Sequence, residues 1–258
     1  MSGQAIKEFW DTQATEHGAE ATATAPDKAY RQLEIGSIIP WIKGPFVLDV
    51  GCGNGYSTFQ FEKAYTNYRF TGIDFSEKMI FAAVAEAIHR HSNALFVTGD
   101  ARDLSGLVRK YDTIISERCL INLETWDEQK QAILQMKACL APNGRLILVE
   151  NFIEGLDNLN ELRKKLGLHE MKVRWHNRYL VSEEFRDFIG EHFLTRTSQN
   201  IGNLYYIISR VVYAALCKET GSEPQYENPI NYIAAKLPSL GNYYGYSPNM
   251  LYVLSPLT

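Results

Sequence analysis

The chain is short of several things, and each shortage excludes something. Its four cysteines, Cys52, Cys119, Cys139 and Cys217, never fall at C-x-x-C spacing, which argues against a zinc ribbon or a thiol redox motif. Free thiols without a signal-peptide pattern point to a reducing, cytoplasmic setting. The most apolar late run, "LYYIISRVVYAAL", is too short to span a bilayer and holds Arg210. Basic charge is in deficit: the formal net charge is −4, so long nucleic acid is not the expected partner. No phosphate-loop lysine and no clustered acids for a metal ion are found, so no metal is expected. Repeats are missing too, and the one low-complexity stretch is "GAEATATAP" near residue 20.

What is present is an α/β rhythm. The 258 residues, 45% of them apolar, suit one large domain, or one domain with a small cap. "FVLDV" reads as a buried strand, with Tyr56–Tyr65 as the helix after it. "YRFTGID" is a second strand ending at Asp74, and Ser76 is placed to cap the next helix. "ALFVTGD", "YDTIISE" and "RLILVEN" are three more strands, with an amphipathic helix in "TWDEQKQAILQMKACL" stopped by Pro142 and Asn143-Gly144. This order predicts a doubly wound, mostly parallel sheet covered on both faces. Strand candidates at Phe193–Ile201 and in "NMLYVLS" bring the sheet to seven strands, the last antiparallel. Two long insertions, at about 152–181 and 203–248, are read as a helical, tyrosine-rich cap over the carboxyl edge of the sheet, with residues 1–45 as an N-terminal arm.

The first strand runs into Gly51-Cys52-Gly53-Asn54-Gly55, a loop expected to hold a ligand against backbone amides at the carboxyl end of the sheet. The spacing is G-x-G-x-G. The dinucleotide fingerprint wants a glycine where Tyr56 stands. Asp49, inside the strand, opposes a pyrophosphate and suits an ammonium group. Asp74 ends the second strand, where a carboxylate accepts from ribose hydroxyls, and Asp100 ends the third, where it accepts from an adenine amine. Three successive strand ends presenting acids imply an uncharged or cationic adenosine derivative. A nicotinamide-dependent oxidoreductase is disfavoured by the same residues.

In order, "LDVGCGNG", "GID", "GDARDL" and "YDTIISE" resemble the motifs of the class I S-adenosylmethionine-dependent methyltransferases, over about Phe46 to Asn151. The resemblance implies a Rossmann-like methyltransferase fold with S-adenosylmethionine as cofactor. By it, Gly51 and Gly53 border the methionine moiety and Asp49 lies near its ammonium. Asp74 holds the ribose, Phe75 and Met79 pack on the adenine, and Asp100 with Ala101 faces its edge. Glu117 and Arg118, after the fourth strand, meet both cofactor and substrate. The segment "KEFWDTQATEHGAEATATAPDKAYRQLE" resembles the family's cofactor-covering arm, in which Tyr30 and Arg31 contact the cofactor, Arg31 at its carboxylate.

Three places suit an acceptor. In "SERCLINLE", Arg118 fits a phosphate or carboxylate, or else pairs with Glu117 or another acid. In "KVRWHNRYL", His176 is a candidate general base, with Trp175 and Tyr179 as stacking surfaces. Arg163, Lys164, Lys165, Lys172, Arg174 and Arg178 surround one acid, Glu170, and either form a solvated face or draw an anionic acceptor. The third is the tyrosine-rich lid: Tyr205, Tyr206, Tyr213, Tyr226, Tyr232, Tyr243, Tyr244 and Tyr246. These features point to direct methyl displacement onto a small polar molecule, such as a sugar, a glycan precursor or another anionic metabolite. A homodimer through the cap is compatible with them. A non-catalytic cofactor-binding subunit is the competing reading. Nucleic-acid methylation is opposed by the acidic charge and by the missing Asn-Pro-Pro-Tyr-like tetrad after the fourth strand.

Overall fold

The structure, a computed structural model, describes residues 3–237 and 245–257. Seven strands form one sheet in the order β3-β2-β1-β4-β5-β7-β6. They are β1 (Phe46–Val50), β2 (Arg69–Asp74), β3 (Leu95–Thr98), β4 (Tyr111–Glu117), β5 (Leu140–Asn151), β6 (Phe193–Asn200) and β7 (Asn249–Pro256). β7 runs antiparallel to both of its neighbours, and the other pairings are parallel. The expected α/β methyltransferase topology is therefore present, with its single reversed strand next to the far edge.

Helices α1 (Gly3–His17) and α2 (Lys28–Ile38) form the N-terminal arm. α3 (Tyr56–Ala64), α4 (Glu77–Arg90), α5 (Trp126–Cys139), α6 (Ile153–Lys165) and α7 (Ser182–His192) follow. Local chemistry explains their starts. Ser76 Oγ accepts from Met79 N at 3.1 Å to cap α4, and Thr125 with Glu128 forms a reciprocal capping box on α5. α3 instead starts from Gly55, left-handed at φ 78°.

Strand alternation distributes the core over the two faces of the sheet. Val47 packs with Phe59, Phe61, Phe70 and Phe96 on one face, while Leu48 and Val50 pack with Ile114, Ile133, Met136 and Leu148 on the other. Both faces are buried, as continuous apolar parallel strands require.

The boundaries differ from the sequence reading in three places. β5 begins at Leu140 and takes in Pro142, with left-handed Asn143 at φ 62° and a register shift against β4 between Tyr111 and Thr113. β3 ends at Thr98, short of Gly99-Asp100. The first insertion carries helix α6 and an irregular connection over 166–181. The second carries Asn203–Tyr206, a π-type turn Ile207–Val212, Tyr213–Thr220 and Pro229–Ala234. Tyr243 and Tyr244 lie outside the described residues. Among the described residues no helix is long and apolar enough to cross a membrane.

Candidate active site

β1 and β4 are neighbours, but the chain leaves β1 toward β2. Their carboxyl ends therefore open a crevice at the point where strand order reverses. A cavity of about 270 Å³ fills it. The arm, the glycine loop, the ends of β2 and β4, the 166–181 connection and the second insertion all contribute to its wall.

The glycines are dictated by contact. A Cβ on Gly51 would stand 2.5 Å from Cys119 Sγ, and one on Gly53 would stand 2.7 Å from Thr24 of the arm; both residues have positive φ. The expectation that the loop's amides cradle the ligand does not hold. Gly51 N and Cys52 N donate to Ile73 O at 2.7 and 3.0 Å, and Gly53 N donates to Asp74 Oδ2 at 2.9 Å. With these donors engaged, the loop offers a smooth backbone surface rather than a phosphate nest.

Asp74 also accepts from Ser76 N at 2.9 Å. Burial pushes its carboxyl up to about 6, against the lowering effect of the Ser76 and Gly53 amides. Each carboxylate oxygen keeps a lone pair for a further donor, which suits ribose hydroxyls. Phe75, Met79, Gly99, Asp100 and Ala101 continue the same wall. Asp100 is gripped by Arg102, Nε to Oδ1 at 3.0 Å and Nη2 to Oδ2 at 2.6 Å. Burial raises its carboxyl, but these bonds prevail and hold it below the usual range.

Asp49 needs correction. It is the one expected cofactor residue that does not reach the cavity wall. Strand alternation turns it toward α3, where it is 2% exposed and accepts from Thr58 Oγ1 at 2.6 Å. Burial pushes its carboxyl up to about 7.

Tyr30 and Arg31 both line the cavity, from α2. The Tyr30 hydroxyl donates to Ile201 O at 3.1 Å and lies 3.3 Å from Ser247 Oγ, so it fastens the arm to the second insertion. Arg31 Nη1 is 3.2 Å from Glu117 Oε1, and its buried Nε has no hydrogen-bond partner. That orphaned donor is what a ligand carboxylate would satisfy.

The other end of the cavity holds residues that sequence reading passed over. Glu34, 0% exposed, accepts from Asn249 Nδ2 at 2.8 Å and lies 3.2 Å from Arg118 Nε. Burial pushes Glu34 up to about 7, with Arg118 opposing. Asp27 caps α2 through Tyr30 N, accepts from the Tyr205 hydroxyl at 2.7 Å and pairs with Arg210. Tyr226 lies under the Arg210 guanidinium at 4.9 Å. Two signals for this end were available: aspartate immediately before "KAYR", and a lone cation in an apolar run.

His176 also lines the cavity. It is 5% exposed and stacks on Phe9 of α1 at 4.2 Å, with Trp10 and Trp175 edge-on. Its Nδ1 has no partner. Burial, with Arg174 adding, lowers it to about 4. Of the basic run, Lys172 and Arg174 reach the cavity, while Arg163 is directed to His169 O and Arg210 O. Of the lid tyrosines, Tyr206 and Tyr226 line it, and Tyr205 is buried against Asp27. Among the described residues no group of histidine, cysteine and acidic side chains is placed to hold a metal ion.

A doubly wound sheet with a buried carboxylate after β2, close-packed glycines after β1 and an arginine-bearing cavity wall is a setting that suits a nucleoside cofactor. Comparison with known proteins is in accord. A methyltransferase-domain family model matches residues 47–144. The chain is 30% identical over 195 residues to a magnesium-protoporphyrin O-methyltransferase of Synechocystis sp., covering 71% of this chain and 80% of that one. It is 26% identical over 129 residues to a malonyl-[acyl-carrier protein] O-methyltransferase of Halalkalibacterium halodurans, covering 47% and 46%. The chain thus spans about half the length of the malonyl relatives it matches. A crystal structure of the Synechocystis magnesium protoporphyrin IX methyltransferase with bound SAH superimposes with a TM-score of 0.58 at 19% identity, over 96% of this chain and 93% of that one. The chain belongs to the class I S-adenosylmethionine-dependent methyltransferases. S-adenosylmethionine is the cofactor of that family. The left-handed glycines, the orphaned Arg31 Nε, and Asp74 beside Phe75 fit it.

Proposed function

We propose that this protein transfers a methyl group from S-adenosylmethionine to an oxygen of a small anionic molecule. The observation that supports the reading is that one cavity is lined both by residues suited to the cofactor and by cations and tyrosines. We assign Asp74, Gly51, Gly53, Phe75, Met79, Asp100 and Ala101 to the cofactor, and Arg118, Arg210, Lys172, Arg174 and the tyrosines of the same cavity to the acceptor. Among the described residues, Lys172 and Arg174 have no acidic partner within 4.0 Å. They leave positive charge at the acceptor end.

In this reading Asp74 holds the ribose and Arg31 the methionine carboxylate, while Phe75 and Met79 pack on adenine and Asp100–Ala101 faces its edge. When bound, the cofactor supplies an electrophilic methyl carbon. The chain excludes water with α1 and aligns the acceptor, and orientation supplies much of the rate. Glu117, tied to Arg31, belongs to the junction of the two compartments. His176 works as an aromatic wall that keeps α1 docked rather than as the base, because a group held near 4 is a weak acceptor for a hydroxyl proton. The two relatives named above are both O-methyltransferases, which supports oxygen as the acceptor atom.

The test is incubation with methyl-tritiated cofactor and a small-metabolite extract, followed by anion-exchange separation. Label should move into the anionic fraction. Label confined to neutral or cationic products would contradict the reading.

A further inference from the structure

The end of β4 is built to receive an anion in one orientation. Arg118 adopts a left-handed backbone, φ 54°, uncommon for a residue with a side chain. Its surroundings over-determine that conformation. Arg118 N donates to Val149 O at 2.8 Å, and its carbonyl accepts from Asn122 Nδ2 at 2.8 Å. Trp10 Nε1 of α1 in turn donates to Asn122 Oδ1 at 3.2 Å. Glu34 Oε1 then lies 3.2 Å from Arg118 Nε, an ion pair without hydrogen-bond geometry, and Asn249 Nδ2 donates to the same Glu34 oxygen at 2.8 Å. Among the described residues the two terminal nitrogens of Arg118 have no protein partner, and the side chain, 22% exposed, lines the cavity. A guanidinium paired with an acid on its Nε side and open at its terminal fork is able to take a planar carboxylate through two parallel bonds.

The neighbouring groups are donors as well. The Tyr206 hydroxyl has no hydrogen-bond partner among the described residues and lines the same compartment. Burial, with Tyr179 adding, raises Tyr206, so it stays protonated and able to donate. Three carboxylates of the cavity wall are paired with cations, Glu34 with Arg118, Glu117 with Arg31 and Asp27 with Arg210, and the unpartnered Nδ1 of His176 belongs to a ring that burial lowers to about 4, a weak acceptor for a hydroxyl proton. The compartment is equipped to bind a nucleophile that arrives already ionised.

We infer that the methyl acceptor is a carboxylate oxygen, held by the fork of Arg118 and the hydroxyl of Tyr206, and that the product is a methyl ester. Glu34 is the positioning residue that aims Arg118. The inference rests on the methyl-transfer reading above and extends it to the acceptor atom. The carboxylate has four lone-pair sites; the fork takes two and leaves others free to attack. One of them forms the new O–C bond, the C–S bond breaks with its electron pair kept on sulfur, and no proton changes hands. The tyrosine walls at Tyr179 and Tyr226 favour an acid attached to a ring.

The test uses the whole chain saturated with S-adenosylhomocysteine, titrated calorimetrically with benzoate and with benzamide, its uncharged counterpart. Benzoate should bind about tenfold or more tighter than benzamide. Arg118→Gln should abolish the difference, and Arg118→Lys, which keeps charge without the fork, should restore only part of it. Tyr206→Phe, a gentler change, should weaken benzoate by a smaller factor, with S-adenosylhomocysteine affinity unaltered. Equal affinity for the two probes, or full discrimination surviving Arg118→Gln, would overturn the inference. Failure of S-adenosylhomocysteine itself to bind would instead strike the methyl-transfer reading. With ring carboxylic acids and methyl-tritiated cofactor, transferred label should be released by alkali as volatile methanol. Label that survives alkali marks an ether or amine and would overturn the inference.

Discussion

The two ends of the cavity are made by different means. At the end proposed for the cofactor, consecutive strands deliver Gly51, Asp74 and Asp100 in chain order, and each acid is met by local donors: backbone amides at Asp74, Arg102 at Asp100. Around the proposed acceptor, charges meet across long stretches of chain. Glu34 pairs with Arg118, and Asp27 with Arg210. The first arrangement is fixed by local backbone geometry. The second exists only once the arm, the sheet and the second insertion are docked, so it is where specificity can differ between relatives that share a sheet.

The sharpest way to break the comparison is Gly51→Ala. The added methyl would collide with Cys119 at 2.5 Å on a left-handed backbone, which should cost about 3 kcal/mol and disturb both ends at once. Thermal melts should show a much lower Tm, and an unchanged Tm would mean the strand ends are less tightly apposed than described. Asp74→Ala is more selective. It should weaken S-adenosylhomocysteine binding by about 1.5–3 kcal/mol, the worth of hydrogen bonds to a charged group, with benzoate binding to the saturated protein preserved. Loss at both ends would deny that the compartments are separate.

Asp49→Asn separates sequence motif from site. Asp49 holds its proton more tightly when folded (about 7) than in the unfolded chain (3.8), so its burial costs stability as pH rises through that window, at about 1.4 kcal/mol per pKa unit. Asparagine can still accept from Thr58. The variant should therefore gain Tm at pH 8, gain nothing at pH 4, and bind S-adenosylhomocysteine as before. A large loss of cofactor affinity would return Asp49 to the site. The smallest effect is expected of His176→Phe, which keeps the ring against Phe9. Turnover should stay within about threefold, whereas loss of a general base would cost about 10²–10⁴-fold.

The same contrast explains what could be read before folding. Strand order, the cap at Ser76 and the cofactor-end residues follow from local patterns: an apolar run, a glycine triplet, an acid at a strand end. Asp49 shares the motif but faces α3, since alternation within β1 decides which side each residue takes. β5 runs longer than its apolar stretch: Pro142 and Asn143-Gly144 look like a stop, but left-handed Asn143 and a register shift accommodate them within the strand. Glu34 gave no local sign of its role. An acid in an amphipathic helix looks like a solvent-facing residue until Arg118 from the middle of the chain and Asn249 from its far end are brought to it. His176 was legible as a chemically able residue, but not as one enclosed by Phe9, Trp10 and Trp175.

The most direct measurement is a calorimetric titration of the purified chain with S-adenosylhomocysteine and, in parallel, with NAD. The glycine loop's engaged amides and the orphaned Arg31 Nε lead to one expected result: saturable one-to-one binding of S-adenosylhomocysteine and no heat from NAD. Binding of NAD without S-adenosylhomocysteine would contradict the assignment of this cavity to a sulfonium nucleoside.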